Sequence, residues 1–357
     1  MDTLELHELH QTLGARFSRV NGLEVVAQYG DPKTEYLALT ETAGILDLSD
    51  RTRLCLTGAD RVRFLHGQVT NDIKRLATGT GCYAALVTAK GKMQSDLNIH
   101  ALADELLLDA EPGLGTLISQ RLEKYIVADD VQVVDVSEMY GLLSVQGPAA
   151  GDCVGDLALT AELPGAPMHS VRVEDATLGE LYVINQPRLN RAGFDLFVPR
   201  AALGTILDKL IAAAKRRGGG PCGWVAFETA RIEAGIPRFG QDMNENYFPQ
   251  ECGIESRAVS YTKGCYIGQE ILNRIHTIGH VTRELCRLRL ALVSAGLPQT
   301  GDKLLRDGKE VGHLTSVAVS PKTGETHALG FLRKEAAQPG LELTIQSATA
   351  PGAIARV

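Results

Sequence analysis

One stretch of this 357-residue chain concentrates reactive chemistry: Lys263-Gly264-Cys265-Tyr266-Ile267-Gly268-Gln269-Glu270. A thiol sits there among glycines, beside a cation and ahead of Ile271, Leu272 and Ile275, whose spacing is helical. A helix beginning near Gly268 leaves Cys265 just outside its N-terminus. Unpaired backbone N–H groups and the positive end of the helix dipole stabilise a thiolate at such a position, and Lys263 adds to that effect if it folds back. The alternative is a tight glycine turn around a buried, inert cysteine.

Three further charges occupy apolar or turn settings. In a helix over 222–234, Trp224, Phe227 and Arg231 stand at i, i+3 and i+7, so the arginine shares an inward stripe with two aromatics and needs a partner. Either it forms a structural ion pair, from which Glu233 is excluded by its i+2 position, or it serves a carboxylate or anionic ligand. Asp195, in Gly193-Phe194-Asp195-Leu196-Phe197-Val198, shares a strand face with Phe197 rather than with Phe194 and Leu196. It either faces water or recognises an amidine-like edge through two parallel hydrogen bonds, as to the aminopyrimidinone of a pterin. Asp96 closes Gly91-Lys92-Met93-Gln94-Ser95-Asp96, a turn leading into a strand. There it is a turn or strand-start residue, or a general base that steadies a developing cation. His276 and His280 are four apart, but Gly279 intervenes and no third ligand is evident, so no metal site is expected.

The elements that must hold these residues read as α+β, without the regular alternation of a doubly wound sheet. Helices are expected at 4–13, from Gly58 to about His66, and at about 113–125, 201–215 and 222–234. Strands are expected at 23–27, 53–56, 105–109, 180–185 and 194–198. A hairpin joins 83–88 to 96–101, and a strand pair surrounds 139–145. Past Gly279, Leu288, Leu290 and Leu292 alternate with arginines and short β-like runs follow. The expected division is therefore 1–278 and an all-β domain over 279–357. The apolar content of 44% is ordinary for a globular protein, and the charge of −7 excludes a surface that tracks nucleic acid generally. Seven scattered cysteines without a C-x-x-C pair point away from disulfides and zinc, toward a cytoplasmic, reducing setting. No apolar run approaches the length needed to span a bilayer.

Taken together the pieces resemble the folate-binding superfamily of the glycine-cleavage T-protein, and more closely its YgfZ branch of iron–sulfur cluster assembly factors. The resemblance runs through Ile45-Leu46-Asp47-Leu48-Ser49, Leu56-Thr57-Gly58-Ala59-Asp60, Gln68-Val69-Thr70-Asn71-Asp72, Val145-Gln146-Gly147-Pro148-Ala149 and Arg231-Ile232-Glu233-Ala234-Gly235. The octapeptide at 263–270 matches the YgfZ branch. Such a resemblance implies a three-domain ring around a central folate channel, closed by a small β-barrel. It implies tetrahydrofolate or a one-carbon derivative as cofactor, with Asp195 gripping the pterin and Arg231 and Tyr83 also serving the cofactor.

Cys265 becomes the working thiol, with Lys263 tuning it and Gly264 and Gly268 shaping the loop, while Tyr266, Gln269 and Glu270 position the loop or face a partner. The implied partners are iron–sulfur client proteins, tRNA-modifying enzymes among them, or assembly factors. Two departures from the T-protein pattern matter: Ser95 replaces one of a pair of acids, and Arg188-Leu189-Asn190-Arg191 replaces Tyr-Thr-Gly-Glu. A carboxylate beside the reacting folate nitrogen assists methylene transfer by stabilising positive charge, so the loss of one weakens that chemistry. The expected function is folate-linked assembly or repair of iron–sulfur clusters. Transfer of a one-carbon unit to tetrahydrofolate, with Asp96 as acid–base residue, is the alternative, and a folate-binding scaffold without chemistry is the third.

Overall fold

The computed structural model describes residues 3–293 and 296–357. The chain divides into two compact units. The first runs to Ala84 and resumes over Asp96–Phe227; the second takes Ala85–Ser95 and Glu228–Val357.

The first unit is built on two largely antiparallel sheets. In the six-stranded one the order is Ser170–Asp175, Gly179–Asn185, Gly193–Pro199, Tyr140–Gln146, Gly44–Asp47 and Gly220–Pro221, the last pair being parallel. Its central strands pack on the helix Leu203–Lys215, which buries Leu203, Ile206, Leu207, Leu210, Ile211 and Ala214, the i, i+3, i+4 stripe of an amphipathic helix. Phe194, Leu196 and Val198 enter that core, whereas Asp195 and Phe197 lie on the opposite face of the same strand. Truncating a fully buried leucine here, such as Leu210, costs about 2–5 kcal/mol.

The five-stranded sheet runs Thr80–Val87, Met93–Ala101, Leu106–Ala110, Thr52–Thr57 and Gln132–Asp135. Along Met93–Ala101 the burial alternates. Met93, Ser95, Leu97 and Ile99 are buried, and Gln94, Asp96 and Asn98 are half-buried on the other face. Asp96 is thus an interior strand residue, not the strand-start residue expected from its turn-like surroundings. Met93 is fully buried and donates to the Tyr247 carbonyl at 3.0 Å, so the strand begins three residues earlier.

The second unit contains a closed barrel of six strands, Arg283–Ala291, Thr326–Arg333, Lys309–Val319, Lys303–Arg306, Glu342–Gln346 and Ile354–Arg356. Leu288 and Leu290 point into its core with Leu304, Leu314 and Ile345, as the leucine–arginine alternation predicts. Closure leaves no strand edge exposed. Ahead of the barrel, the helix Gln269–Thr277 starts one residue after the expected Gly268.

Other elements went unread. The helix Pro32–Glu41 carries an Asp31 cap that accepts from the Lys33 and Thr34 N–H groups, with proline in its first turn. The short buried strand Gly44–Asp47 is supported from both sides by neighbouring strands and has no pattern of its own. No described helix is long and apolar enough to cross a membrane.

Candidate functional site

Three expected site residues, Tyr83, Asp96 and Asp195, belong to the first unit, the first two on neighbouring strands of the five-stranded sheet and Asp195 on the six-stranded one. Tyr83 Oη donates to Asp96 Oδ2 at 2.7 Å, a bond between neighbouring strands that fixes the carboxylate's direction. Two residues along, on the same face, Asn98 Nδ2 donates to Asp109 Oδ2 at 2.9 Å. Asp109 accepts from Arg51 Nε at 2.6 Å and from Arg188 at 2.8 Å, and Arg51 also donates to Glu111 at 2.7 Å. Arg188 then reaches Asp195, its Nε lying 3.1 and 2.9 Å from the two carboxylate oxygens.

This buried row of charges joins the two sheets. Asp109 is on Leu106–Ala110, Asp195 is on Gly193–Pro199, and Arg188 comes from the loop before the latter strand. Asp195 is 1% exposed, which excludes the water-facing one of its two readings. A charge at that depth is tolerated because a guanidinium fork fits it in the manner of an amidine edge. Burial pushes the Asp195 carboxyl above the usual carboxylate range, against the pull of Arg188. At Asp109 burial acts the same way, but Arg188 and Arg51 win and hold it well below that range. Beside them burial pushes the His100 imidazole down to about 4, so it is neutral at pH 7.

Sequence reasoning missed Arg51, Asp109 and Glu111, and met Arg188 only as a departure from a motif. A signal was present. Asp109 ends the apolar run Leu106-Leu107-Leu108, where a carboxylate demands a buried partner.

Arg231 proves to be fully partnered within the second unit. It donates to Glu228 at 2.7 Å, Asp242 at 2.5 Å, Ser316 Oγ at 2.9 Å and the Ile236 carbonyl at 3.2 Å. Asp242 in turn accepts from Thr315 and Ser316 of the barrel strand Lys309–Val319. Of the two readings open for this arginine, the geometry carries the ion pair, with Glu228 at i−3 as the same-face partner.

The thiol loop is built differently. Cys265 is exposed, whereas Cys55, Cys153, Cys222 and Cys252 are buried and Cys82 and Cys286 are half-buried; all seven are free thiols. The residues on either side are anchored. Lys263 is buried with its Nζ 4.8 Å from the centre of the Tyr266 ring, and Tyr266 is buried too. The Tyr266 hydroxyl has no hydrogen-bond partner among the described residues, and burial pushes it up to about 12.

Gly268 has φ +86°, and a side chain there would bring a carbon to 2.6 Å from the Thr88 carbonyl oxygen. Only glycine combines that backbone with that approach. Gln269 N–H donates to the Tyr266 carbonyl at 3.2 Å, closing the turn before the helix, while Glu270 is exposed. Gly264 is exposed next to the thiol. The loop therefore presents Cys265 outward, which excludes the reading of a buried, inert cysteine.

Among the described residues no group of three or more His, Cys, Asp and Glu side chains could hold a metal ion. His276 instead pairs with Glu255 at 3.0 Å and stacks on Tyr261.

Comparison with known proteins agrees with the architecture. Residues 6–263 match the family model described as the GCVT N-terminal domain, and residues 283–354 match the glycine cleavage T-protein C-terminal barrel domain. An aminomethyltransferase of Staphylococcus carnosus (strain TM300) is 29% identical over 339 residues, spanning 93% of this chain and 90% of the relative. One from Shouchella clausii (strain KSM-K16) is 27% identical over 347 residues, spanning 96% and 92%. The crystal structure of glycine cleavage system aminomethyltransferase T from Bartonella henselae superposes with a TM-score of 0.87 at 22% identity, covering 99% of this chain and 96% of that one. That last likeness shows the T-protein fold.

Proposed function

Because the chain belongs to the glycine cleavage T-protein family, we propose that it binds a reduced folate through its first unit and uses Cys265 to support assembly or repair of iron–sulfur clusters in client proteins. The observation that carries the thiol half is the contrast at 263–268. Cys265 is exposed while Lys263 and Tyr266 are buried and Gly268 occupies a backbone position closed to other residues. A fixed loop that displays one thiolate precursor suits transfer of sulfur or passage of a cluster at a protein surface.

In the folate half, Asp195 would hold the pterin edge in place of Arg188, one guanidine-like partner for another. Arg188 is shared by two carboxylates, so when it releases Asp195 its charge remains paired with Asp109. Tyr83 and Asp96 lie on the same sheet as Asp109 and complete the cofactor-facing set. Arg231, which the family pattern also offers, directs its donors to Glu228 and Asp242 within the second unit and is left out of this set. Tetrahydrofolate supplies a one-carbon carrier. The chain's own residues bind and orient it.

Folate-dependent aminomethyl transfer is the second reading. It is favoured by the names of the relatives and by the Tyr83–Asp96 bond, which holds a carboxylate ready to steady positive charge. Against it, Ser95 occupies the position of the second acid and is fully buried.

Calorimetry with tetrahydrofolate on wild type and Asp195→Asn tests the shared premise. Saturable binding that weakens at least about tenfold in the variant is expected; indifference to the substitution overturns it. Production of methylene-tetrahydrofolate from an aminomethyl donor, abolished by Asp96→Asn and untouched by Cys265→Ala, would establish the second reading instead.

A further inference from the structure

The turn between the strands Gly44–Asp47 and Thr52–Thr57 carries the carboxylate of Asp50. Asp50 is 7% exposed, and among the described residues neither of its oxygens has a hydrogen-bond partner. The turn itself is firmly held. Arg53, 1% exposed, donates to the carbonyls of Ser49 at 3.1 Å, Arg51 at 2.7 Å, Ser137 at 2.8 Å and Tyr140 at 3.0 Å. Arg51 directs its guanidinium to Asp109 and Glu111. Both arginines offset the charge of Asp50 from a distance without bonding to it. Burial first, and Asp47 second, push its carboxyl up to about 7 against them. A buried polar group in that state is costly unless something meets it.

Asp50 lines a cavity of about 360 Å³ in the first unit, within the range of small-molecule sites. Glu5, Glu24, Asp135 and Glu138 line it as well, against two cations: Arg51, which is spent on Asp109 and Glu111, and Arg200, which is paired with Glu5. The lining is therefore net acidic. Its acids do not converge as a metal cage, so a hydrogen-bonding organic cation suits it better than a bare ion.

We propose that this cavity binds a small organic cation, a primary ammonium or guanidinium compound, whose N–H groups bond to Asp50. Such a ligand supplies both the donors and the charge that Asp50 lacks. The site is distinct from the proposed folate set, since Asp195, Arg188 and Asp96 do not line it; Arg51 lines it but spends its guanidinium on Asp109 and Glu111.

Titration of the full chain with 1,4-diaminobutane and with methylguanidinium, followed by calorimetry, tests it. Saturable binding of at least one probe is expected, weakened at least about tenfold by Asp50→Asn and unchanged by Asp307→Asn at an exposed turn. Thr116→Trp, which fills the cavity from its wall and leaves the carboxylate intact, is expected to abolish binding and serves if Asp50→Asn does not fold. Equal affinity in wild type and Asp50→Asn, binding that survives Thr116→Trp, or no saturable binding by either probe up to about 50 mM overturns the proposal.

Discussion

The charged row of the first unit and the thiol loop of the second place reactive groups in opposite ways. Asp195, Asp109 and Arg51 are buried, Arg188 buries its side chain, and the four spend their hydrogen bonds largely on one another. Cys265 stands in the open while its neighbours are tied down. The first arrangement must open one ion pair to admit a ligand and suits a cofactor that exchanges for an internal partner. The second needs no rearrangement and suits an encounter with another macromolecule. Removing a group from the row should therefore damage the fold, and removing the thiol should damage only function.

The largest effect is expected at Asp109. Asp109→Ala strands two buried guanidinium groups and should cost about 3–5 kcal/mol in denaturant unfolding, whereas Cys265→Ala should stay within about 0.5 kcal/mol of wild type. Comparable losses in the two variants would erase the contrast.

His100 gives the next effect through pH. The unfolded histidine takes a proton below about 6.5 while the native one stays neutral to about 4. Between those values the unfolded state holds more protons, so stability is lost as pH falls, by up to about 3 kcal/mol. Asp50 has the opposite sign. Its native carboxyl keeps a proton up to about 7 that the unfolded chain releases near 3.9, so its contribution falls as pH rises. Unfolding curves for His100→Asn and Asp50→Asn across pH 4–7 should separate the two: the first variant loses the acid-side slope and the second loses the opposing one.

Gly268→Ala should cost about 1–3 kcal/mol, because it combines a left-handed backbone with a clash against the Thr88 carbonyl. A cost that small leaves the fold standing but displaces the loop, so alkylation of Cys265 should change rate in this variant and not in Asp195→Asn. The smallest effect is expected at Glu270, exposed in the first turn of its helix, where alanine should shift stability by no more than about 0.5 kcal/mol.

Much of this was legible in the chain, and the failures have a common cause. Leucine alternation past Gly279 located the barrel, and the helical spacing after Gly268 located the helix behind the thiol. Alternation also assigned Asp195 to the face opposite Phe194 and Leu196. What alternation cannot say is whether the second face of a strand meets water or another sheet, so both readings of Asp195 stayed open. Arg188 was invisible as its partner because the pairing joins two sheets through a loop, a contact with no local signature. Asp96 was placed at a strand start because glycine, lysine and serine precede it, and tertiary pairing overrides that local preference.

The central claim rests on Cys265, and the most direct test replaces the native protein in a cell lacking it with either Cys265→Ala or Asp96→Asn. The activity of a cluster-dependent enzyme is then measured in each. The account predicts that activity falls with the thiol variant and is largely kept with the carboxylate variant. Activity that survives loss of Cys265 but not of Asp96 would contradict it and leave one-carbon transfer as the function.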